Sequence, residues 1–455
     1  MTITRRNLLA ASGSFAGFAA LQRLGLTQVA SSSEAMPDPA TPAAKALYAD
    51  IGAASWAELH RRLRTLNGDL VASGMRHIRG VQGTLLTGYP YNEFYDWDLY
   101  FENLYLSYYG VWPLCFTNLK EFLDREQPDG YVNRSLIKQR DRQQFKPFLA
   151  QLVVLGAKQN HDDYEWLRGN YYDRLVKYVD KWFSYDSDKN GLPVWNSADA
   201  AGTDNQWSRG GAMGVFEVEG VDLASYLIRE LRAMTVIATA LGNKADAVAF
   251  RKHADAVAKR INDVLWDEQQ GMYFDRNEKT GKRVYVKSAT NFMPLFAGAA
   301  TPERANRMIH EHLMNADEFW LKYPVASYSK TEPDYYQNPT AKECNWRGPT
   351  WAPTNYMIFQ GLQAYGYHTE ARELARRLFD MSIRKNPVLR EYYNAETGEG
   401  LGQTHFWGFT ALYYGMLLES HANYDAASLD KPLRKLIPQE LGVEFPQLGK
   451  IWPEV

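Results

Sequence analysis

Cysteine is almost missing from this chain: Cys115 and Cys344 are the only two in 455 residues. Two thiols are too few for a disulfide scaffold or a multi-cysteine zinc module. Histidine is sparse too, with nine scattered copies. The one close pair, His310 and His312, would face different sides of a helix, and no two-His-plus-acid metal spacing occurs. No metal and no cofactor is therefore expected. An excess of charge of one sign is also lacking. The 51 basic and 53 acidic residues leave a formal net charge of -2, so nothing draws the chain toward nucleic-acid phosphates. Past the N-terminal segment no apolar run is long enough to span a bilayer. A glycine-flanked serine elbow is absent, as is a glycine-rich phosphate loop between strand and helix. Their absence argues against serine hydrolases and doubly wound nucleotide-binding sheets.

What the chain does have is rings. Its 13 Trp, 29 Tyr and 20 Phe make up 14% of the residues. Tyr outnumbers Phe, so many rings carry a polar edge suited to stacking on and hydrogen-bonding a polar ligand. Composition alone leaves such a surface and an aromatic core equally open. The first 35 residues read as an address. Arg5-Arg6 precedes a short, mildly apolar run from Ala10 to Leu21, a pattern similar to a twin-arginine export signal. An exported, periplasmic protein without stable membrane insertion is expected. Residues 36–46 read as a linker, 47–430 as the catalytic domain, and 431–455, with Pro432, Pro438, Pro446 and Pro453, as an extension packed on its surface.

Helical periodicity dominates from Leu47 onward. Val221, Leu223, Leu227, Leu231, Met234, Ile237 and Leu241 mark one apolar face. After Gly242-Asn243 the pattern resumes with Phe250, Ala254, Val257, Ile261 and Leu265, and it recurs at Leu374, Leu378 and Met381. Between helical stretches a weak repeat appears: an aromatic, then Asp or Asn, then Gly four or five residues on. It occurs at Tyr185-Asp186 to Gly191, Trp266-Asp267 to Gly271, and Tyr393-Asn394 to Gly398. The expected fold is all-α, a six-hairpin toroid or (α/α)6 barrel with loops converging on one mouth.

Four loop clusters combine acids with aromatics. They are Tyr89 to Asp98; Trp195 to Arg209 with Asp199, Asp204, Asn205 and Trp207; Asn345 to Pro353; and Glu391 to Trp407 with Glu399 and His405. One acid of this kind is more often a cap or a surface ion pair, but four similar clusters at one mouth suggest a site. Asp beside Trp or Tyr suits a sugar: the carboxylate accepts neighbouring hydroxyls while the ring covers an apolar pyranose face. Two separated carboxylates suit glycoside hydrolysis, one protonated to donate to the leaving oxygen and one ionised. His405 alone among the histidines lies within a cluster, and Cys344, without an evident partner base, reads as a small buried hydrophobe.

Taken together the clusters resemble the clan of inverting α-glycosidases that holds the trehalases and glycoside hydrolase family 63, with its mannosylglycerate and glucosylglycerate hydrolases. Phe94-Tyr95-Asp96-Trp97-Asp98-Leu99-Tyr100 is similar to the trehalase signature. Asn345-Trp346-Arg347-Gly348-Pro349-Thr350-Trp351 and Glu391-Tyr392-Tyr393-Asn394 are similar to family 63 motifs, in the same order. The resemblance implies Asp204 as catalytic acid and Glu391 as general base. It implies a sugar pocket drawing on Tyr95, Trp97, Asp98, Asn205, Trp207, Arg209, Trp346, Arg347, Trp351, Glu399, His405 and Trp407. The implied activity is inverting hydrolysis of a small α-glycoside, an α-glucoside first. Two departures stand out: the glutamate usual before the acid is Ala200, with Asp199 one position early, and Trp407-Gly408-Phe409-Thr410 exchanges two rings. Two other readings stay open, a sugar epimerase or lyase on the same toroid and a sugar-binding protein without catalysis. Several histidines in the pocket would favour the first of these.

Overall fold

The computed structural model describes residues 36–445 apart from 79–80, 82, 112, 139–142, 197–198, 207–216 and 339–343. The export segment expected at residues 1–35 lies outside the described residues, as do Trp207 and Arg209. From Pro39 on, the chain forms one unit. It opens with α1 (Pro42–Asp69), which starts inside the stretch read as linker. Thr41 caps it by accepting the Ala44 N–H at 3.0 Å, and Pro42 fills the first position, where no N–H is needed.

The helices that follow are α2 (Asp96–Ser107), α3 (Pro113–Asp124), α4 (Leu149–Gln159), α5 (Asn170–Phe183), α6 (Val221–Ala240) and α7 (Lys244–Arg260). After them come α8 (Met293–Phe296), α9 (Pro302–Arg307), α10 (Ala352–Ala364), α11 (His368–Asp380), α12 (Leu412–Ala422) and α13 (Leu436–Leu441). The periodic faces noted at 221–241, 250–265 and 374–381 fall on α6, on α7 and its continuation, and on α11 and its first residue beyond.

Two kinds of helix alternate, and burial separates them. Every residue of α2 is buried, and so is α10 from Ala352 to Leu362. Both are inner helices buried on every side, with their polar residues enclosed as well. By contrast α5 buries only Tyr172, Leu175, Tyr178, Val179 and Trp182, and α11 buries Ala371, Leu374, Ala375, Leu378 and Phe379. These recur at threes and fours, the single stripe of an outer helix. The packing follows: α2 lies against α4, α4 against α6, α6 against α8, α8 against α10, α10 against α12, and α12 returns to α2. Outside this circuit α1 packs on α12, α3 on α2 and α4, α7 on α6, and α11 on α10 and α12. The C-terminal stretch contributes α13, packed on α1, with the Ile437 N–H donating to Tyr108 O at 3.0 Å.

Four outer helices end alike. α1, α7, α9 and α11 run into π-turns at Leu70–Gly74, Ile261–Leu265, Met308–Leu313 and Met381–Lys385. The aromatic–acid–glycine repeat is a family of tight turns. The Asp186 carboxylate accepts the Asn190 and Gly191 N–H groups, Asp267 accepts Gln270 N–H, and Asn394 Oδ1 accepts those of Glu396 and Thr397. The glycine closing each turn has positive φ (91°, 64° and 76°), where a side chain would be strained.

Strands are short: β1 (Met75–Arg76) pairs with β2 (Leu85–Leu86), β4 (Trp266–Asp267) with β5 (Met272–Tyr273), β6 (Asp275–Asn277) with β7 (Arg283–Val284), and β8 (Arg390–Tyr393) with β9 (Gly400–Thr404), while β3 (Val218–Glu219) joins β6 from far along the chain. No helix among the described residues is long and apolar enough to cross a membrane.

Candidate active site

A cavity of about 340 Å³ receives parts of all four clusters. Tyr95, Trp97 and Asp98 enter from the start of α2, where Tyr95 is the extended residue preceding the helix and Asp96 and Asp98 stand in its first turn. The unpaired N–H groups there favour anionic side chains. Asp96 turns to the interior, 3.0 Å from Lys146 Nζ, and both side chains are fully buried. The Lys146 N–H donates to the other Asp96 oxygen at 2.9 Å, and its ammonium lies 4.8 Å from the Trp97 ring centroid. This pair holds Trp97 and Asp98 from behind. Asp98 is 6% exposed, and its Oδ1 has no hydrogen-bond partner among the described residues. Burial, seconded by the Asp96 charge, raises the Asp98 pKa, against the pull of Lys146 and Arg134.

Asp204 stands exposed at the cavity edge, just beyond the turn Asp199–Ala201. The next two residues anchor it. Gln206 Nε2 donates to Ser288 Oγ at 2.9 Å and Thr290 Oγ1 at 3.2 Å. Asn205 Oδ1 accepts the Trp346 N–H at 2.7 Å, and its amide donates to the Tyr336 hydroxyl at 3.0 Å. Asn205, expected to bind substrate, ties the second and third clusters together. The Asp199 side chain lies outside the described residues.

The third cluster supplies an aromatic wall. Trp346 and Trp351 stack at 4.0 Å and 10°, Trp351 stacks on Tyr392 at 4.4 Å, and Trp97 meets Trp346 at 5.8 Å. Trp351 Nε1 donates to Asn345 O at 2.7 Å, fixing its ring. Arg347 does not line the cavity; its guanidinium lies over Tyr336 at 4.9 Å and donates to that hydroxyl at 3.3 Å.

Glu391 comes from β8. The β8–β9 register shifts between Arg390 and Tyr392, so Glu391 occupies a bulge, a device that re-aims a side chain. It is 7% exposed; Oε2 accepts the Gln403 N–H at 2.9 Å and Oε1 faces the Cys344 thiol at 3.5 Å. Burial raises its pKa most, the Gln403 and Cys344 hydrogen bonds lower it, and Asp204 raises it. Cys344 is therefore a cavity residue between the two carboxylates, rather than a small buried hydrophobe.

The rest of the fourth cluster diverges. Glu399 is exposed near the hairpin turn and lines no part of the cavity. His405 and Trp407 border a separate space of about 260 Å³ with Arg61, Arg62, Asp69 and Tyr414. The Trp407 and Gly408 N–H groups both donate to Gly88 O, at 2.9 and 3.0 Å, and it is Phe406 and Phe409 that reach the cavity. None of the nine histidines is among its described lining residues.

Sequence reasoning missed Arg134, Lys138 and Gln143, which also line the cavity. Their segment carries no acid–aromatic signature. It is placed by pairing, with Tyr95 bridging Ser135, Asn133 bridging Gln144, and Glu93 accepting the Lys138 N–H at 2.9 Å. The Arg134 guanidinium is nearly buried, 5.1 Å from the Tyr95 centroid. Among the described residues, one acidic group could surround a cation: Asp186, Asp188 and Glu278, with carboxylate oxygens within 4.8 Å of one another. Backbone donors already occupy it, since Asp186 accepts Gly191 N–H and Glu278 accepts Ser187 N–H.

A helix-built cavity holding two carboxylates against a tryptophan wall defines a carbohydrate-active type of site. The chain belongs to the family of mannosylglycerate hydrolase MGH1-like glycoside hydrolase domains, whose model matches residues 96–407. It is similar to the mannosylglycerate hydrolase of Rubrobacter radiotolerans, 29% identical over 208 residues that make up 45% of each chain. It is also similar to the cytosolic neutral trehalase of Kluyveromyces lactis, 35% identical over 154 residues, 33% of this chain and 20% of that one. The matched region thus spans less than half the length of these relatives. Among solved structures, the glycoside hydrolase family 63 mannosylglycerate hydrolase of Thermus thermophilus, in complex with glucose, shares the fold. The TM-score is 0.63 at 20% identity, covering 77% of this chain and 98% of that one.

Proposed function

We propose that this protein hydrolyses a small α-glycoside with inversion, and that its aglycone carries a carboxylate. The observation that carries the reading is the presence of Asp204 and Glu391 on one cavity together with Trp97, Trp346 and Asp98, whose Oδ1 has no partner among the described residues. Asp98 accepts sugar hydroxyls, and the tryptophans cover the pyranose face. Asp204 protonates the leaving oxygen while Glu391 deprotonates a water on the opposite face, which calls for carboxyls roughly 6.5–9.5 Å apart. Arg134 and Lys138, two cations on a wall that also holds Asp98, Asp204 and Glu391, offer a place for an anionic aglycone on the side away from those carboxylates. Mannosylglycerate and glucosylglycerate then rank above trehalose and kojibiose. The absence of histidine from the described lining counts against an epimerase or lyase that relies on one.

The closed circuit of six inner helices supports an (α/α)6 barrel, and Arg5-Arg6 before an apolar run supports export to the periplasm. Purified enzyme incubated with those four glycosides, with NMR reading the anomer first released, tests the activity. The expected result is a β-anomer from a glycerate glycoside, with Asp204→Asn and Glu391→Gln each nearly inactive. An α-anomer, or normal turnover in either variant, refutes the assignment.

A further inference from the structure

Cys344 touches the two groups on which that mechanism rests. Its Sγ is 3.5 Å from Glu391 Oε1, and Asp204 approaches the same thiol. The Glu391 carboxylate is thus held at both ends, Oε2 by the Gln403 N–H at 2.9 Å and Oε1 by the thiol. A carboxylate offers about four lone-pair positions, so each oxygen keeps capacity for a water. The residue after Cys344 is rigidly held: Asn345 donates to Tyr336 O at 3.0 Å, and its Oδ1 accepts from Arg347 N at 2.9 Å and from Asn205 at 3.3 Å. Cys344 therefore stands at a fixed point between the segment carrying Asp204 and the strand carrying Glu391. Independently, the buried Asp98 Oδ1, without a partner among the described residues, points into the same cavity, where a ligand would enter.

We propose that Cys344 is a positioning residue for the general base: its thiol donates to Glu391 Oε1, fixing the carboxylate's orientation while separating it from Asp204. This rests on the reading of Glu391 as that base. A thiol suits the place because it is a weak, neutral donor. It restrains the carboxylate without stripping its basicity as a lysine would. Burial and the two carboxylates push the thiol pKa far up, so it stays protonated and keeps donating across the working range. The other groups facing Glu391 are Asp204, Asp98, Tyr91 and Arg390. Among these Arg390 alone is cationic, so the thiol's contribution has few substitutes.

The test compares the full chain as wild type, C344A, C344S and E391Q on the fastest of the four glycosides, with circular dichroism reporting folding. In C344A, kcat should fall about tenfold with KM within about twofold, and the acid limb of kcat/KM should rise by about half to one pH unit. Losing a donor to the charged form raises the carboxyl pKa, hence the direction. C344S should restore both. Wild-type kcat and pH profile in C344A beside an inactive E391Q overturns the role of Cys344 and leaves the base in place. A C344S no better than C344A also overturns it. Normal turnover in E391Q removes the base assignment and this inference together.

Discussion

Gly402 lies across the β8–β9 hairpin from Glu391, and Gly402→Ala probes how tightly the carboxylate proposed as base must be held. Its φ is +64°, and a Cβ there would fall 2.5 Å from Glu391 Oε2 and 2.6 Å from Tyr392 Cε1. Non-bonded heavy atoms settle at roughly 3.5 Å, so either the carboxylate or the hairpin must shift by about 1 Å. A displacement of that size at a reacting group lowers turnover by about 100-fold. The left-handed backbone adds a penalty of about 1–2 kcal/mol for a residue with a side chain. The control is Gly281→Ala, with similar φ (+68°) and no atom closer than 3.5 Å. It shares the backbone strain without the clash. Gly281→Ala should therefore lose about 1–2 kcal/mol in urea unfolding and Gly402→Ala at least as much, while only Gly402→Ala loses kcat. Equal kcat in the two would refute the idea that Glu391 is held by its fit against the hairpin.

Two further perturbations address the scaffold. Lys146→Met leaves Asp96 charged and fully buried without its partner, and should destabilise the fold by about 3–5 kcal/mol; adding Asp96→Asn should recover part of that in the same unfolding assay. Glu419, enclosed by Tyr108, Tyr356 and Gln360, is raised by burial from 4.5 to about 8. Between those values the folded state holds a proton that the unfolded state has released. This group's contribution to stability is then present below pH 4.5 and declines by about 1 kcal/mol per pH unit toward pH 8. Glu419→Gln should remove that slope from urea midpoints measured at about pH 5 to 8 without changing kcat; an unchanged slope would refute the assignment.

Much of the helical framework was legible in the sequence because 3.6-residue periodicity records which side of a helix is buried, as at 221–241 and 374–381. Inner helices such as α2 were harder to see, since a helix buried on every side, its polar residues included, presents no solvent stripe to set a period. The cavity was legible where a motif put an acid next to a ring, as at Trp97-Asp98, Trp346 and Glu391. It was not legible at Arg134 and Lys138, which reach the cavity through long-range pairing of Tyr95 with Ser135. His405 and Trp407 illustrate the reverse error. They sit within a cluster by sequence, yet the hydrogen bonds from Trp407 and Gly408 to Gly88 O turn Phe406 and Phe409 inward. Asn205 points its amide to Tyr336 and Trp346, which proximity to Asp204 in sequence did not say.

The division of labour around the cavity follows from how each residue is supported. Trp97 and Asp98 stand on a helix start braced by the Asp96–Lys146 pair, and Glu391 stands on a bulge in a hairpin, so both are buried and fixed. Asp204 stands on a turn, exposed, and is steadied through Asn205 and Gln206. A group that grips the sugar and one that orients water gain from rigidity, because misplacement is costly. A group that must give a proton and then recover one needs contact with solvent. Burial favours the protonated form of Glu391, so its ionised form rests on the Gln403 and Cys344 hydrogen bonds, while Asp204 has the solvent contact that the proposed acid would use. The thiol contact therefore matters more for Glu391, which is only 7% exposed and so has few other donors to replace a lost one.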